Sequence, residues 1–168
     1  MLRTLIQSLA IAAFTALPLA AKELATPEGD VLLTVSGEIT NTNAGESAQF
    51  DLAMLEALGT ETIETTTIWT EGTNTFEGVS LKMLAEAVGF EGATLRATAI
   101  NDYAVEIPLT DAVEGGPIVA YRMNGAEMSV RDKGPLWIVY PYDANADYRT
   151  EVIYSRSIWQ LDRIVVTD

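Results

Sequence analysis

The sequence predicts an α+β domain, rich in strands and carrying a few short helices. Three observations lead there. Strand-like and helix-like segments alternate without a regular strand–helix–strand rhythm, which speaks against a doubly wound sheet. Glu61 to Trp69 is a β-branched run, and Leu136 to Tyr140 is a near-continuous apolar run of the kind buried on both faces. Phe50–Leu58 and Leu81–Val88 place apolar residues at helical spacing, and each stops at a glycine.

In order, Lys22 to Asp30 is a polar lead-in and Val31 to Ser36 a strand. Gly37 to Ser47, rich in Asn, Thr and Gly, reads as a loop. Asp51 sits in the first turn of the first helix, where the helix dipole favours a carboxylate, and Gly59 ends that helix. Within Glu61–Trp69, Ile63, Thr65, Thr67 and Trp69 share one strand face. Gly72 to Asn74 reads as the turn that follows. Ser80 is the expected N-cap of the second helix and Gly89 its end. Ala93–Ile100 and Tyr103–Ile107 are two strands joined across Asn101-Asp102, and Leu109 to Val113 is a single helical turn. Pro117–Met123 is a strand closed by the Asn124-Gly125 turn. Arg131-Asp132-Lys133 is a compact charged knot before Gly134-Pro135. After the buried run, Asp143 to Glu151 is a polar loop, and a strand at Arg163–Val166 closes the chain.

Residues 1–21 read as a secretory signal peptide: Arg3, an apolar stretch from Leu5 to Ala16, then small residues at Leu19-Ala20-Ala21. The stretch is short for a membrane span and Pro18 interrupts its end, so the expectation is a periplasmic or secreted protein with no span after cleavage. Residues 22–168 then form one domain, of a size that buries roughly 70% of its unfolded surface. The whole chain carries a formal charge of −14, and losing Arg3 makes the remainder one unit more negative. Nucleic acid and anionic lipid are therefore poor partners, while a small molecule or a periplasmic protein fits.

The chain has no cysteine and no histidine. That excludes disulfides, thiolate or imidazole metal sites, cysteine nucleophiles and a Ser-His-Asp triad. Asp143, Asn145 and Asp147 have the opening spacing of a calcium loop, but Tyr148 and Tyr154 stand where that loop needs Gly and Glu. Ser80 with Lys82, and Ser129 with Lys133, read as a helix cap and loop charges rather than Ser-Lys dyads. The better signal is aromatic. Trp69, Tyr103, Tyr121, Trp137, Tyr140, Tyr142 and Trp159 lie in or near strands, where they either pack the core or line a flat pocket for a planar ligand.

Three segments carry a family resemblance. Ala120-Tyr121, Met123-Asn124-Gly125, Arg131-Asp132, Gly134 and Pro141 resemble the A-Y-x-M-N-G…R-D-x-G segment of the molybdopterin-binding oxidoreductase domain, the family of sulfite oxidase. Phe76 to Leu81 is similar to its W-x-G-V-x-L helix entry, and Ala99 to Ala112 to its D-G-Y…I-P-L…A segment. The resemblance covers roughly Val31 to Asp143. It implies a mixed, β-rich, sulfite-oxidase-like domain with short helices and a pterin cleft, with Tyr103 near the place of the metal centre and Arg131 and Asp132 bracing a loop. It implies a molybdopterin cofactor as well, yet the family's thiolate ligand would fall in Thr65–Trp69, where there is no cysteine and the sequence offers no metal ligand.

Two readings follow. One is an exported binding module for a small ligand or a partner protein, with candidate ligand-binding residues Thr66, Trp69, Asn101, Asp102, Tyr103 and Arg131 and no catalytic residue. The other is a molybdopterin-dependent oxidoreductase, or a subunit of one. A third, weaker reading is an assembly protein acting through its acidic surface.

Overall fold

The computed structural model describes residues 24–168, so the expected signal peptide lies outside the described residues. Strands β1 (Leu33–Gly37), β2 (Ala48–Phe50), β3 (Glu61–Thr67), β4 (Thr70–Ser80), β5 (Thr94–Ala99), β6 (Ala104–Pro108), β7 (Ile118–Met123), β8 (Ala126–Glu127), β9 (Leu136–Val139) and β10 (Trp159–Thr167) join in one curled, mixed sheet. Helices α1 (Leu52–Leu58), α2 (Leu81–Val88) and α3 (Glu151–Arg156) are short. This is the β-rich α+β architecture expected from the sequence. Among the described residues, no helix is long and apolar enough to cross a membrane.

The main path runs β2-β1-β10-β9-β7-β4-β3. Along β10, residues 163–166 pair in parallel with β1, and Trp159 and Leu161 pair with β9. The opposite edge of β10 takes β5, which also carries β6. The sheet forks at Gln160. Its φ of 53° is a left-handed value that few non-glycine residues adopt; the register with β9 shifts across it, and that with β5 shifts two residues on, at Asp162. Leu136–Val139 is wholly buried between β7 and β10, as its apolar run predicts.

Local chemistry sets the helix ends. Asp51 is the N-cap of α1 rather than a first-turn residue: its carboxylate accepts from Met54 N at 2.9 Å and from Glu28 N and Gly29 N at 2.8 Å each. These donors, Gly29 first and then Met54, hold its carboxyl below the usual range. Ser80 caps α2 by accepting from Met83 N, and Gly89 ends it in the left-handed region.

Three expectations need correction. The chain reverses at Ile68-Trp69, not at Gly72–Asn74, because Thr67 Oγ1 accepts from both Trp69 N and Thr70 N at 3.0 Å. Trp69 therefore sits at a hairpin tip instead of in a strand. Gly72, at φ 65°, lies in an irregular stretch of β4, and Asn74 Nδ2 ties that stretch down through Glu71 O and Gly72 O. The polar loop after Tyr142 gives way to α3, capped by Thr150, and the closing strand begins at Trp159 rather than Arg163.

Gly78 is where β4 and β7 come closest. A Cβ there would stand 2.3 Å from Val119 O and 2.6 Å from Ala120 Cα, both backbone atoms that cannot turn aside. Gly78→Ala is expected to cost about 1–3 kcal/mol in denaturant unfolding. An unchanged midpoint would show that the strands move apart freely. Asp51→Ala is expected to cost about 1 kcal/mol near neutral pH. Folding lowers the Asp51 carboxyl, so its contribution is present above the unfolded value and is lost as pH falls through the folded one. The variant should accordingly show a shallower loss of stability on acidification than the parent.

Candidate functional site

A cleft of about 420 Å³ opens where three separate pieces of chain meet. The tip of the β3–β4 hairpin brings Trp69. The β5–β6 connection brings Asn101 and Tyr103. Helix α3 and the residues after it bring Tyr154, Ser155, Ser157 and Ile158, and the irregular start of β10 brings Trp159 and Gln160. None of these lining side chains carries a formal charge, although the chain as a whole is strongly acidic.

Its floor is fixed by Trp137, which is fully buried and donates from Nε1 to Ser157 O at 3.1 Å. Trp137 meets Phe76, Trp69 and Trp159 edge to face, with ring centroids 5.3, 5.8 and 6.3 Å away. Trp69 in turn stands at 85° to Tyr154 and at 78° to Trp159, with centroids 5.7 and 5.6 Å apart. The lining rings that touch are thus close to perpendicular. They form a corner rather than a flat slot, which is one of the two arrangements the sequence leaves open.

Two hydrogen-bonded anchors hold α3 beneath the cleft. Tyr142 OH donates to Ser157 Oγ at 2.6 Å, and Ser157 Oγ donates to Ile153 O at 2.9 Å. Tyr140 OH and Arg156 Nη1 both donate to Asp111 Oδ2, at 2.7 and 2.9 Å. Burial pushes the Tyr142 phenol up to about 12 and raises that of Tyr140 further, with Asp111 adding to it, so both stay protonated as donors. The Ser157 hydroxyl is engaged on both sides and has no base beside it. Nothing in this lining pairs a nucleophile with a base.

The structure brings Trp69, Asn101 and Tyr103 together in the cleft. Tyr103 is 58% exposed, and its backbone N–H donates to Asn101 Oδ1 at 3.2 Å. The other three sequence candidates lie outside the lining. Asp102, at φ 66°, is turned away and pairs with Arg163. Arg131 is exposed on a single 3-10 turn, Val130–Asp132, and pairs with no carboxylate among the described residues. Thr66 is exposed on β3. Its N–H and hydroxyl donate to Asp143 at 2.6 and 2.9 Å, and Asp143 N donates to Thr65 Oγ1 at 3.1 Å. Those Thr66 donors, the backbone one first, hold the Asp143 carboxyl below its usual range.

Sequence reasoning missed Tyr154, Ser155, Ser157, Ile158 and Gln160 as lining residues. Two aromatics and two serines within six residues, Tyr154, Ser155, Ser157 and Trp159, were the one available signal. Of the calcium-like triplet, Asp143 is spent on Thr66 and Asn145 caps the 3-10 turn Ala146–Tyr148. Among the described residues, no three His, Cys, Asp or Glu side chains group as metal ligands.

Comparison with known proteins completes the description. No curated protein matches the chain. The crystal structure of the sulfane dehydrogenase SoxCD from Paracoccus pantotrophus shares its fold, with a TM-score of 0.59 over 88% of this chain at 18% sequence identity. This chain spans 40% of that one. The family model described as the oxidoreductase molybdopterin binding domain matches residues 34–147, close to the stretch whose motifs show the resemblance. Since that match takes in well over half of the sequence, the chain belongs to the molybdopterin-binding oxidoreductase domain family.

Proposed function

We propose that this protein is an exported binding module that uses the cleft of the molybdopterin-domain scaffold for a small ligand instead of a metal centre. The observation that carries this reading is the donor chemistry where the resemblance puts the family's thiolate. Thr65, Thr66 and Thr67 stand there, and their hydroxyls are engaged within the protein: Thr65 with Thr66 O and Asp143 N, Thr66 with Asp143, Thr67 with Thr70 and the hairpin turn. A threonine hydroxyl is also far harder and less acidic than a thiol, so it is no substitute as a molybdenum ligand. The neighbouring cleft lining holds no Lys or Arg to grip a cofactor phosphate. These residues do not fit the metal-bound group.

On this reading Trp69, Asn101 and Tyr103 contact the ligand, joined by Tyr154 and Trp159. Thr66 serves the Asp143 clasp, and Asp102 and Arg131 stay outside the lining. Export rests on the leader-like residues 1–21 and would place the module in the periplasm. A periplasmic protein docking over the mouth is compatible with the same site, since Ile68 and Ile100, next in sequence to Trp69 and Asn101, are exposed.

Family membership supports a second reading, a molybdopterin-dependent oxidoreductase or a subunit of one. Elemental analysis separates the two. The protein should be purified after export from a host that makes the cofactor. We expect molybdenum at background level and no pterin released on denaturation. Stoichiometric molybdenum would overturn the binding-module reading.

A further inference from the structure

We propose that the cleft recognises a methylated ammonium group, held by ring faces rather than by a carboxylate. This rests on the reading of the cleft as a ligand site and names its ligand class.

The geometry points there. A planar ligand is best held between two parallel faces. Here Trp69 is nearly perpendicular to both Tyr154 and Trp159. Rings set as a corner, with Tyr103 also in the lining, leave no parallel slot for a planar ligand and suit a rounded, tetrahedral onium group better. Each face carries the negative lobe of its quadrupole and attracts a cation.

Charge agrees with shape. No lining side chain is charged, so none supplies a counter-ion for an anion. The formal charge of −14 creates a field that draws cations toward the protein and repels anions. The same aromatic cluster already holds one ammonium: Lys133 Nζ lies 5.8 Å from the Trp137 ring centroid and 5.9 Å from that of Trp159. Both distances fall within the range of a cation over a ring face. Lys133 is not part of the lining, so the cleft itself stays open to an external cation. Outside the lining, Asp102 and Asp162 both pair with Arg163, which leaves that group one unit negative.

The polar groups in reach suit an amphiphilic onium compound. Tyr103 OH, Tyr154 OH and the Asn101 amide nitrogen have no hydrogen-bond partner among the described residues, and can receive a hydroxyl or carboxylate tail attached to the ammonium. A primary ammonium is less suitable, because no carboxylate in the lining pairs with its N–H groups. Methyl groups remove that demand and add apolar contact.

The test uses choline and dimethylbutanol, its uncharged carbon isostere, in calorimetric titration of the purified protein at neutral pH and low salt. Choline is expected to bind at one site, about tenfold or more tighter than the isostere. Tyr103→Ala is expected to weaken choline roughly three- to tenfold, and Tyr103→Phe, which keeps the ring face, to retain most of the affinity. Tyr103 is largely exposed, so these variants fold. Equal affinity for choline and its isostere overturns the cation proposal and leaves the cleft a ligand site. Binding of neither probe also overturns it. Molybdenum in the same preparation, measured separately, is what would overturn the reading beneath.

Discussion

The hydrogen bond from Trp137 to Ser157 O is the constraint on which the rest of this structure depends. It joins the most deeply buried strand to the segment linking α3 with β10. Trp137 presents its edges and faces to Phe76 from β4, Trp69 from the hairpin tip and Trp159 from β10. Two regions far apart in sequence, the β3–β4 hairpin and the start of β10, are thereby indexed to one indole. A buried indole N–H left without an acceptor costs roughly 1–3 kcal/mol, so its single acceptor fixes where Ser157, and with it the cleft's back wall, must lie.

A second tie works at the open edge of the sheet. β3 is a terminal strand, and such edges expose unpaired N–H groups. Asp143 accepts one of them, from Thr66, and its own N–H returns to Thr65. The hairpin that carries Trp69 is thus clasped by a carboxylate from the loop after β9. Thr65 and Thr66 thus form a structural joint with Asp143 closed by hydrogen bonds.

Much of the fold was legible because its signals are local. Ser80 and Gly89 announce α2 through capping chemistry, and Asn124-Gly125 announces the β7–β8 turn through its φ requirements. What failed was non-local. Ile68-Trp69 contains no turn residue, and the reversal there depends on Thr67 satisfying two N–H groups. The positive φ of Gln160 has no signature of its own, since it answers to β9 and β5 on either side. α3 is too short to show a periodic stripe. The cleft follows the same division. Trp69, Asn101 and Tyr103 could be singled out from residue type and motif, whereas Tyr154, Ser157 and Gln160 join them only after the sheet has forked.

The aromatic corner has one more consequence. The protein's three tryptophans, Trp69, Trp137 and Trp159, all lie within this cluster, with every pair of ring centroids 5.6 to 6.3 Å apart. Indoles so close share excitation, and two of them lie within reach of the Lys133 ammonium. The intrinsic emission of the molecule therefore comes from one place. There is no distant indole to dilute it, and whatever enters the cleft changes the colour or brightness of the protein's own light.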